Sequence, residues 1–163
     1  MIRFGILTLS DRSARGERAD ASGPALADLI RAENWSVVEQ AILPDDESVI
    51  RFKLVEWADS GRFDVILTTG GTGFALRDVT PEATRAVIQR DAPGLAETMR
   101  AESLKKTPHA MLSRAVAGIR GHTLIINLPG SPKGAIENLQ TIAPVLSHAV
   151  QLLKDDPASE SSH

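Results

Sequence analysis

Glycine, hydroxyl and carboxylate residues gather at four points of this 163-residue chain. The turns Thr68-Thr69-Gly70-Gly71-Thr72-Gly73 and Pro129-Gly130-Ser131-Pro132 each close a short apolar run; Ser10-Asp11 closes another, and Pro44-Asp45-Asp46 a fourth. Glycines permit positive φ and remove side chains, so successive N–H groups of such a turn can point inward and approach a phosphate or carboxylate closely. Thr72 and Ser131 can add hydroxyl donors. Asp11, Asp45, Asp46 and Asp78 stand around the same turns, and several carboxylates beside an anion repel it unless a cation intervenes. Magnesium meets that need, because it takes one or two carboxylates together with phosphate oxygens and keeps water on its other positions. Such an ion neutralises charge that develops on a transferring phosphoryl group. The expected chemistry is the handling of a phosphorylated small molecule and a nucleotide.

Each of these residues also has a plain structural role open to it. Gly70-Gly71-Thr72-Gly73 lacks the spacing of the dinucleotide and P-loop fingerprints, and a glycine turn between strand and helix can be only a turn. Asp46 can cap a helix that starts at Glu47, and Asp78 can brace the loop before Thr80. Asp45 lies one residue too early for a cap and Asp78 two residues before the best one. Arg77 and Arg114 can clamp phosphate, pair with Asp78, or face solvent; Ser113 reads as an ordinary polar residue.

The elements that must position these residues follow from apolar periodicity. Arg3 to Leu9, Val65 to Leu67 and Thr123 to Leu128 are short apolar runs that predict buried parallel strands, and Trp35 to Leu43 predicts one with a single apolar side. Between them lie helical patterns at Ala25 to Glu33, Glu82 to Arg90 and Lys133 onward. Each is preceded by a hydroxyl residue for the cap and a proline suited to the first turn: Ser22 with Pro24, Thr80 with Pro81, Ser131 with Pro132. A further helix is expected over Asp46 to Ser60, stopped by Gly61. Strand and helix in alternation predict an α/β domain, a mostly parallel sheet with helices on both faces. Ligands of such sheets bind beyond the carboxyl ends of the strands, where all four clusters fall. Pro93 to Gly121 carries no strand signal and is expected to be a helical insertion, with Leu95 to Lys106 as its first helix. Pro144 is expected to kink or divide the last helix. Trp35 and Trp57 are expected to pack against the sheet. Residues 1–153 form one domain in this scheme, and 154–163 an apolar-poor, disordered tail.

Composition excludes several classes. A hydrophobic share of 42%, a charged share of 24% and a net charge of -3 fit a globular protein and leave no basic footprint for nucleic acid. The absence of cysteine excludes disulfides, thiolate zinc sites and a cysteine nucleophile, and is compatible with the cytoplasm. No secretion signal or membrane span is visible. The four histidines lack metal-ligand spacing, and no Gly-x-Ser-x-Gly elbow occurs.

Taken together, Thr68 to Gly73, then Arg77-Asp78-Val79-Thr80-Pro81-Glu82-Ala83, resemble the signature of the molybdopterin adenylyltransferase family of molybdenum cofactor biosynthesis. Ser10-Asp11-Arg12, Asp20 with Ser22-Gly23, Pro44-Asp45, Pro93-Gly94, Ser113-Arg114 and Leu128 to Pro132 extend the resemblance over residues 2 to 153. Phe74-Ala75-Leu76 departs from the signature, at positions where side chains are expected to be least constrained. The resemblance implies transfer of AMP from magnesium-bound ATP to the terminal phosphate of molybdopterin, with release of pyrophosphate. It further implies a homotrimer and a molybdenum insertase as a possible partner. By position, Asp45 and Asp78 match aspartates implicated in catalysis, and Ser113, placed with them as catalytic, matches a serine implicated in handling the pterin; the charge argument makes Asp45 and Asp78 the expected magnesium ligands, and Ser10, Asp11, Gly70, Gly71, Thr72, Gly73, Pro129, Gly130 and Ser131 are the expected substrate-binding residues. The alternative is a non-catalytic molybdopterin-binding or scaffold module of the same fold.

Overall fold

The structure is a computed structural model and describes residues 1–155; the tail expected from residue 154 therefore lies almost wholly outside the described residues. A six-stranded sheet forms the middle layer, made of β1 (Arg3–Leu9), β2 (Ser36–Leu43), β3 (Val65–Thr69), β4 (Arg90–Asp91), β5 (Ala117–Arg120) and β6 (Thr123–Leu128) in the order β2-β1-β3-β6-β5-β4. The first four of that order pair in parallel, and β5 and β4 add an antiparallel edge. β3 and β6 are buried along their whole length, as expected of strands covered on both faces.

The helices are α1 (Asp11–Ala14), α2 (Ser22–Ala32), α3 (Glu47–Asp59), α4 (Thr80–Val87), α5 (Pro93–Leu104) and α6 (Pro132–Leu153). Leu26 and Ile30 of α2, Met99 of α5 and Leu139, Ile142 and Leu146 of α6 bury one face of the sheet, against Phe4, Ile6, Leu67 and Ile126. Ile50, Leu54 and Trp57 of α3 and Ala83 and Val87 of α4 bury the other, against Leu7, Ile66 and Ile125. The tryptophans pack as expected: Trp57 stacks on Phe63 at 4.6 Å and Trp35 on Phe4 at 5.4 Å. No helix among the described residues is long and apolar enough to cross a membrane.

Four expectations change. The span from Pro93 to Gly121 is not purely helical, because after α5 and a 3-10 turn at Pro108–Leu112 it supplies β5. Gly121, at φ 58°, opens the two-residue turn that leads β5 back into β6. α4 stops at Val87 and Arg90 begins β4. Thr80 and Ser22 lie inside their helices, and neither helix has a side-chain cap; Ser131 and Asp46 are caps. α6 runs through Pro144 without a break.

Candidate active site

The chain reverses its direction across the sheet between β1 and β3, and the crevice beyond their carboxyl ends holds a cavity of about 540 Å³. Its floor is built from Ser10, Asp11, Asp45, Asp78 and the Gly70-Gly71 turn, and one wall from Gly130 and Ser131. Gly70 and Gly71 have φ of 104° and 68°, so the turn depends on residues without Cβ. At Gly70 a Cβ would strike the carbonyl oxygen of Leu9 at the end of β1; at Gly71 it would strike the Thr80 hydroxyl and come within 3.2 Å of Asp45 Oδ1.

Buried hydroxyls hold the carbonyls of both turns. Thr80 Oγ1 donates to Gly70 O at 2.9 Å and Thr80 N to Gly71 O at 3.2 Å. Thr69 Oγ1 donates to Pro129 O at 2.7 Å, and Ser22 Oγ to Gly130 O at 2.6 Å. With these acceptors tied down, the main-chain N–H groups of Gly71, Thr72, Gly73, Gly130 and Ser131 donate to no acceptor among the described residues. The result is a set of uncommitted donors suited to an anion. Behind them Asn127 on β6 donates to Thr68 Oγ1 at 3.0 Å and Thr84 Oγ1 at 2.9 Å and accepts from Val116 N at 3.0 Å, which locks β3, α4 and the approach to β5 together.

Asp11 and Asp45 clasp each other reciprocally: Asp45 N donates to Asp11 Oδ1 at 2.8 Å, and Asp11 N to Asp45 Oδ2 at 3.1 Å. Asp45 Oδ1 is buried without a hydrogen-bond partner. Burial pushes the Asp45 carboxyl up from its ordinary value; the Asp11 amide opposes that, the charges of Asp11 and Asp78 add to it, and Arg77 opposes it. A buried, unpaired carboxylate oxygen is unfavourable in an empty protein and fits a hard cation, so Asp45, with Asp78 at the same cleft, suits magnesium. No cluster of three or more acidic or histidine ligands exists among the described residues, so other ligands would have to come from substrate and water. Asp78 Oδ2 accepts from Ala75 N at 3.0 Å, which realises the loop-bracing role and leaves Oδ1 without a hydrogen bond. Asp46 serves as the α3 cap, accepting from Val49 N at 3.2 Å.

Ser113 is not in this cleft. It lines a second cavity of about 300 Å³ on the other side of the glycine turn, together with Thr72, Gly73, Pro129 and Ser131, so the expected site residues divide between two adjoining spaces that share Ser131. Ser10 Oγ and Ser131 Oγ are both helix caps, accepting from Ser13 N at 3.2 Å and Gly134 N at 3.1 Å. Asp20 and Arg12, named from sequence only as part of the family resemblance, line the first cleft, and Arg18, Arg100, Lys106 and His109 are cavity residues that were not singled out from sequence. Asp20, in the first cleft, accepts from Thr8 Oγ1 at 2.8 Å and Gly23 N at 3.0 Å. Arg12 and Arg18 join Arg77 at its rim. Arg100, Lys106 and His109 line the second cavity. Arg18, Arg100, Lys106 and His109 lie on α5 and in the segments that follow α1 and α5, and no periodic or motif signal separates them from solvent-facing charge. Arg114 neither faces solvent alone nor reaches into the cleft; it binds main-chain carbonyls of the signature loop and pairs with Glu82 at 2.7 Å. Phe74 and Leu76 are exposed, as expected for the part of the signature where the sequence departs from the family.

Comparison with known proteins agrees with this geometry. Residues 5–148, which contain both glycine turns, Asp45, Asp78 and Ser113, match the family described as "Probable molybdopterin binding domain". Over 154 residues the chain is 43% identical to the molybdopterin adenylyltransferase of Helicobacter pylori strain J99, a match that covers 93% of this chain and 88% of that protein. It is 48% identical over 157 residues to the molybdenum cofactor synthesis protein cinnamon of Drosophila melanogaster, which covers 95% of this chain but only 26% of cinnamon's length. The crystal structure of the molybdopterin biosynthesis enzyme MoaB from Thermus thermophilus superposes with a TM-score of 0.90 at 52% identity, covering 96% of this chain and 99% of that one. The chain belongs to the molybdopterin-binding domain family of molybdenum cofactor biosynthesis.

Proposed function

We propose that this protein is a molybdopterin adenylyltransferase, a nucleotidyltransferase that moves AMP from ATP to the terminal phosphate of molybdopterin and releases pyrophosphate. The observation that carries the reading is Asp45 Oδ1, a buried carboxylate oxygen with no partner, set against the glycine turn and in the same cleft as Asp78. Asp45 and Asp78 are the residues that would hold magnesium arriving with ATP, and the ion would supply charge neutralisation on the phosphates.

The chain's own groups do the remaining work. The N–H groups of Gly71, Thr72 and Gly73 donate to phosphate oxygens, and Arg12, Arg18 and Arg77 at the rim offset the charge of the polyphosphate. The larger cleft takes the nucleotide, and the smaller cavity beside Ser113 takes the pterin, so the two substrates meet across the Gly71–Gly73 turn. A terminal phosphate oxygen of molybdopterin then attacks the α-phosphorus of ATP, the bond to the β-phosphate oxygen breaks, and pyrophosphate carries away the electron pair. Positioning and electrostatics suffice for this displacement, and no covalent protein intermediate is needed.

A homotrimer, a cytoplasmic location and contact with a molybdenum insertase belong to the same proposal. They rest on the family resemblance and, for the cytoplasm, on a sequence without cysteine. Light scattering at three times the 17.5 kDa chain mass supports the trimer, and a mass of one chain rejects it. The activity is tested by supplying purified protein with molybdopterin, ATP and magnesium. Pyrophosphate release above an Asp78→Asn control supports the proposal, whereas tight pterin binding with no ATP dependence favours the non-catalytic module.

A further inference from the structure

Arg114 follows Ser113 directly, and its bonds run from the glycine turn beside the Ser113 cavity to Asp78 in the larger cleft. Its main-chain N–H donates to Thr72 O at 2.8 Å, its Nε to Gly73 O at 2.8 Å, and one terminal nitrogen to the main-chain carbonyl of Asp78 at 2.6 Å. Glu82 takes the other guanidinium donors at 2.7 and 3.1 Å. One side chain thus grips both ends of the loop that carries Asp78.

That loop has little else to hold it. From Phe74 to Asp78 the other hydrogen bonds are internal, Asp78 N to Ala75 O at 2.9 Å and Ala75 N to Asp78 Oδ2 at 3.0 Å. Leu76 is fully exposed and Phe74 is 67% exposed, so neither anchors the loop in the core. On the other side, Ser113 O accepts from Arg100 at 3.1 Å, and Arg100 and Ser113 both line the smaller cavity. A ligand that engages that cavity therefore meets the backbone from which Arg114 reaches over to Asp78.

We infer that Arg114 is the positioning residue that sets the Asp78 carboxylate and couples its placement to occupancy of the Ser113 cavity. The inference rests on the reading of Asp78 as a group that serves the adenylyl transfer. The planar fork is essential to it, since a lysine ammonium cannot bind two carbonyls and a carboxylate in one plane. Arg114 acts through Asp78 and touches neither substrate.

The test uses the full chain with Arg114→Met and Arg114→Lys. Arg114→Met is expected to lower kcat about 100-fold, the loss typical of a misplaced reacting group, while KM for ATP and for molybdopterin stays within about threefold; Arg114→Lys recovers only a small part. In an Asp78→Asn background the same substitution changes residual turnover by less than about twofold, because nothing remains to position. Amide hydrogen exchange reads the same claim without catalysis. The Ala75 amide, bonded to the Asp78 carboxylate, exchanges at least about tenfold faster in Arg114→Met, while the Val49 amide at the α3 cap is unchanged. Molybdopterin slows Ala75 exchange in the unaltered protein and not in Arg114→Met. Unaltered Ala75 exchange in Arg114→Met, an undiminished response to molybdopterin in that variant, wild-type kcat, or full additivity with Asp78→Asn would each overturn the inference. If the unaltered protein releases no pyrophosphate, the adenylyl-transfer reading fails and the exchange measurements still decide the positioning role.

Discussion

Asp45, proposed to hold magnesium, carries a cost to the fold. Its carboxyl is pushed up by burial, so the folded protein holds a proton that the unfolded chain gives up at lower pH. Folded binding of the proton exceeds unfolded binding between those two pKa values, so this residue's contribution to stability declines as pH rises through that window and stays lost above it. Asp45→Asn, which removes the charge and keeps the size, is therefore expected to raise the melting temperature at neutral pH while turnover collapses; a lower melting temperature would show that the charge is compensated in the resting protein. With Asp45 as the proposed magnesium ligand, the same linkage predicts that magnesium affinity falls as pH drops into the range where Asp45 takes up its proton, which calorimetry with the metal and a non-hydrolysable nucleotide would detect. Glycine offers a paired comparison. Gly71→Ala meets Thr80 and Asp45 as well as a positive φ, whereas Gly61→Ala, at φ 75°, meets nothing within 4 Å. Both should lose roughly 1–3 kcal/mol to backbone strain, but only Gly71→Ala should abolish ATP binding. Equal turnover in the two variants would contradict the cradle.

At the level of elements, β1, β3 and β6 were readable because short apolar runs ending in glycine, serine or proline turns mark buried strands, while β2 showed only one apolar side and the order of strands in the sheet was not read from sequence. β5 was missed because Ala117-Gly118-Ile119-Arg120 is short and carries only one large apolar residue, and β4 because two exposed residues give no periodicity. The Gly121 turn was the available clue to the hairpin. Caps at Ser22 and Thr80 were misassigned for a shared reason: both hydroxyls are recruited by carbonyls of the glycine turns, a tertiary demand that outranks local capping. Ser113 was legible only by family resemblance, and Arg114's role depends on a loop 36 residues away in sequence. Asn127 shows what such long-range polar ties contribute. Asn127→Ala strands Val116 N and the buried Thr68 hydroxyl, while Thr84 Oγ1 keeps its bond to Thr80 O, and should destabilise the protein by about 2–3 kcal/mol in chemical denaturation. A loss below about 0.5 kcal/mol would mean that water or rearrangement satisfies them.

Across the whole molecule, the two ends of the sheet are specialised differently. The carboxyl edge leaves carboxylate and amide groups without partners, while the opposite edge is closed by Asp64, 2% exposed, which accepts from Arg3 N at 2.8 Å and from the Arg3 guanidinium at 2.9 and 3.2 Å and pairs with Lys154 at 3.2 Å. Burial alone would push the Asp64 carboxyl up, but the Arg3 bonds and Lys154 hold it below its usual range. Its stabilisation is thus present above the unfolded carboxyl pKa and lost as pH falls through the lower folded one. Asp64→Asn should cost about 2 kcal/mol at neutral pH, flatten the acid side of the stability profile, and leave adenylyl transfer intact. The Asp64 ion pairs thus lie at one end of the sheet, and at the other lie Asp45 and Asp78, the residues proposed to serve the transfer of AMP. The most direct measurement is transfer of label from ATP carrying a labelled α-phosphate to molybdopterin, with magnesium, in the unaltered protein and in Asp45→Asn and Asp78→Asn. Labelled adenylyl-molybdopterin is expected from the unaltered protein, with a loss of at least about 100-fold in both variants and molybdopterin affinity retained. Equal labelling in all three proteins, or none in any, would contradict that role.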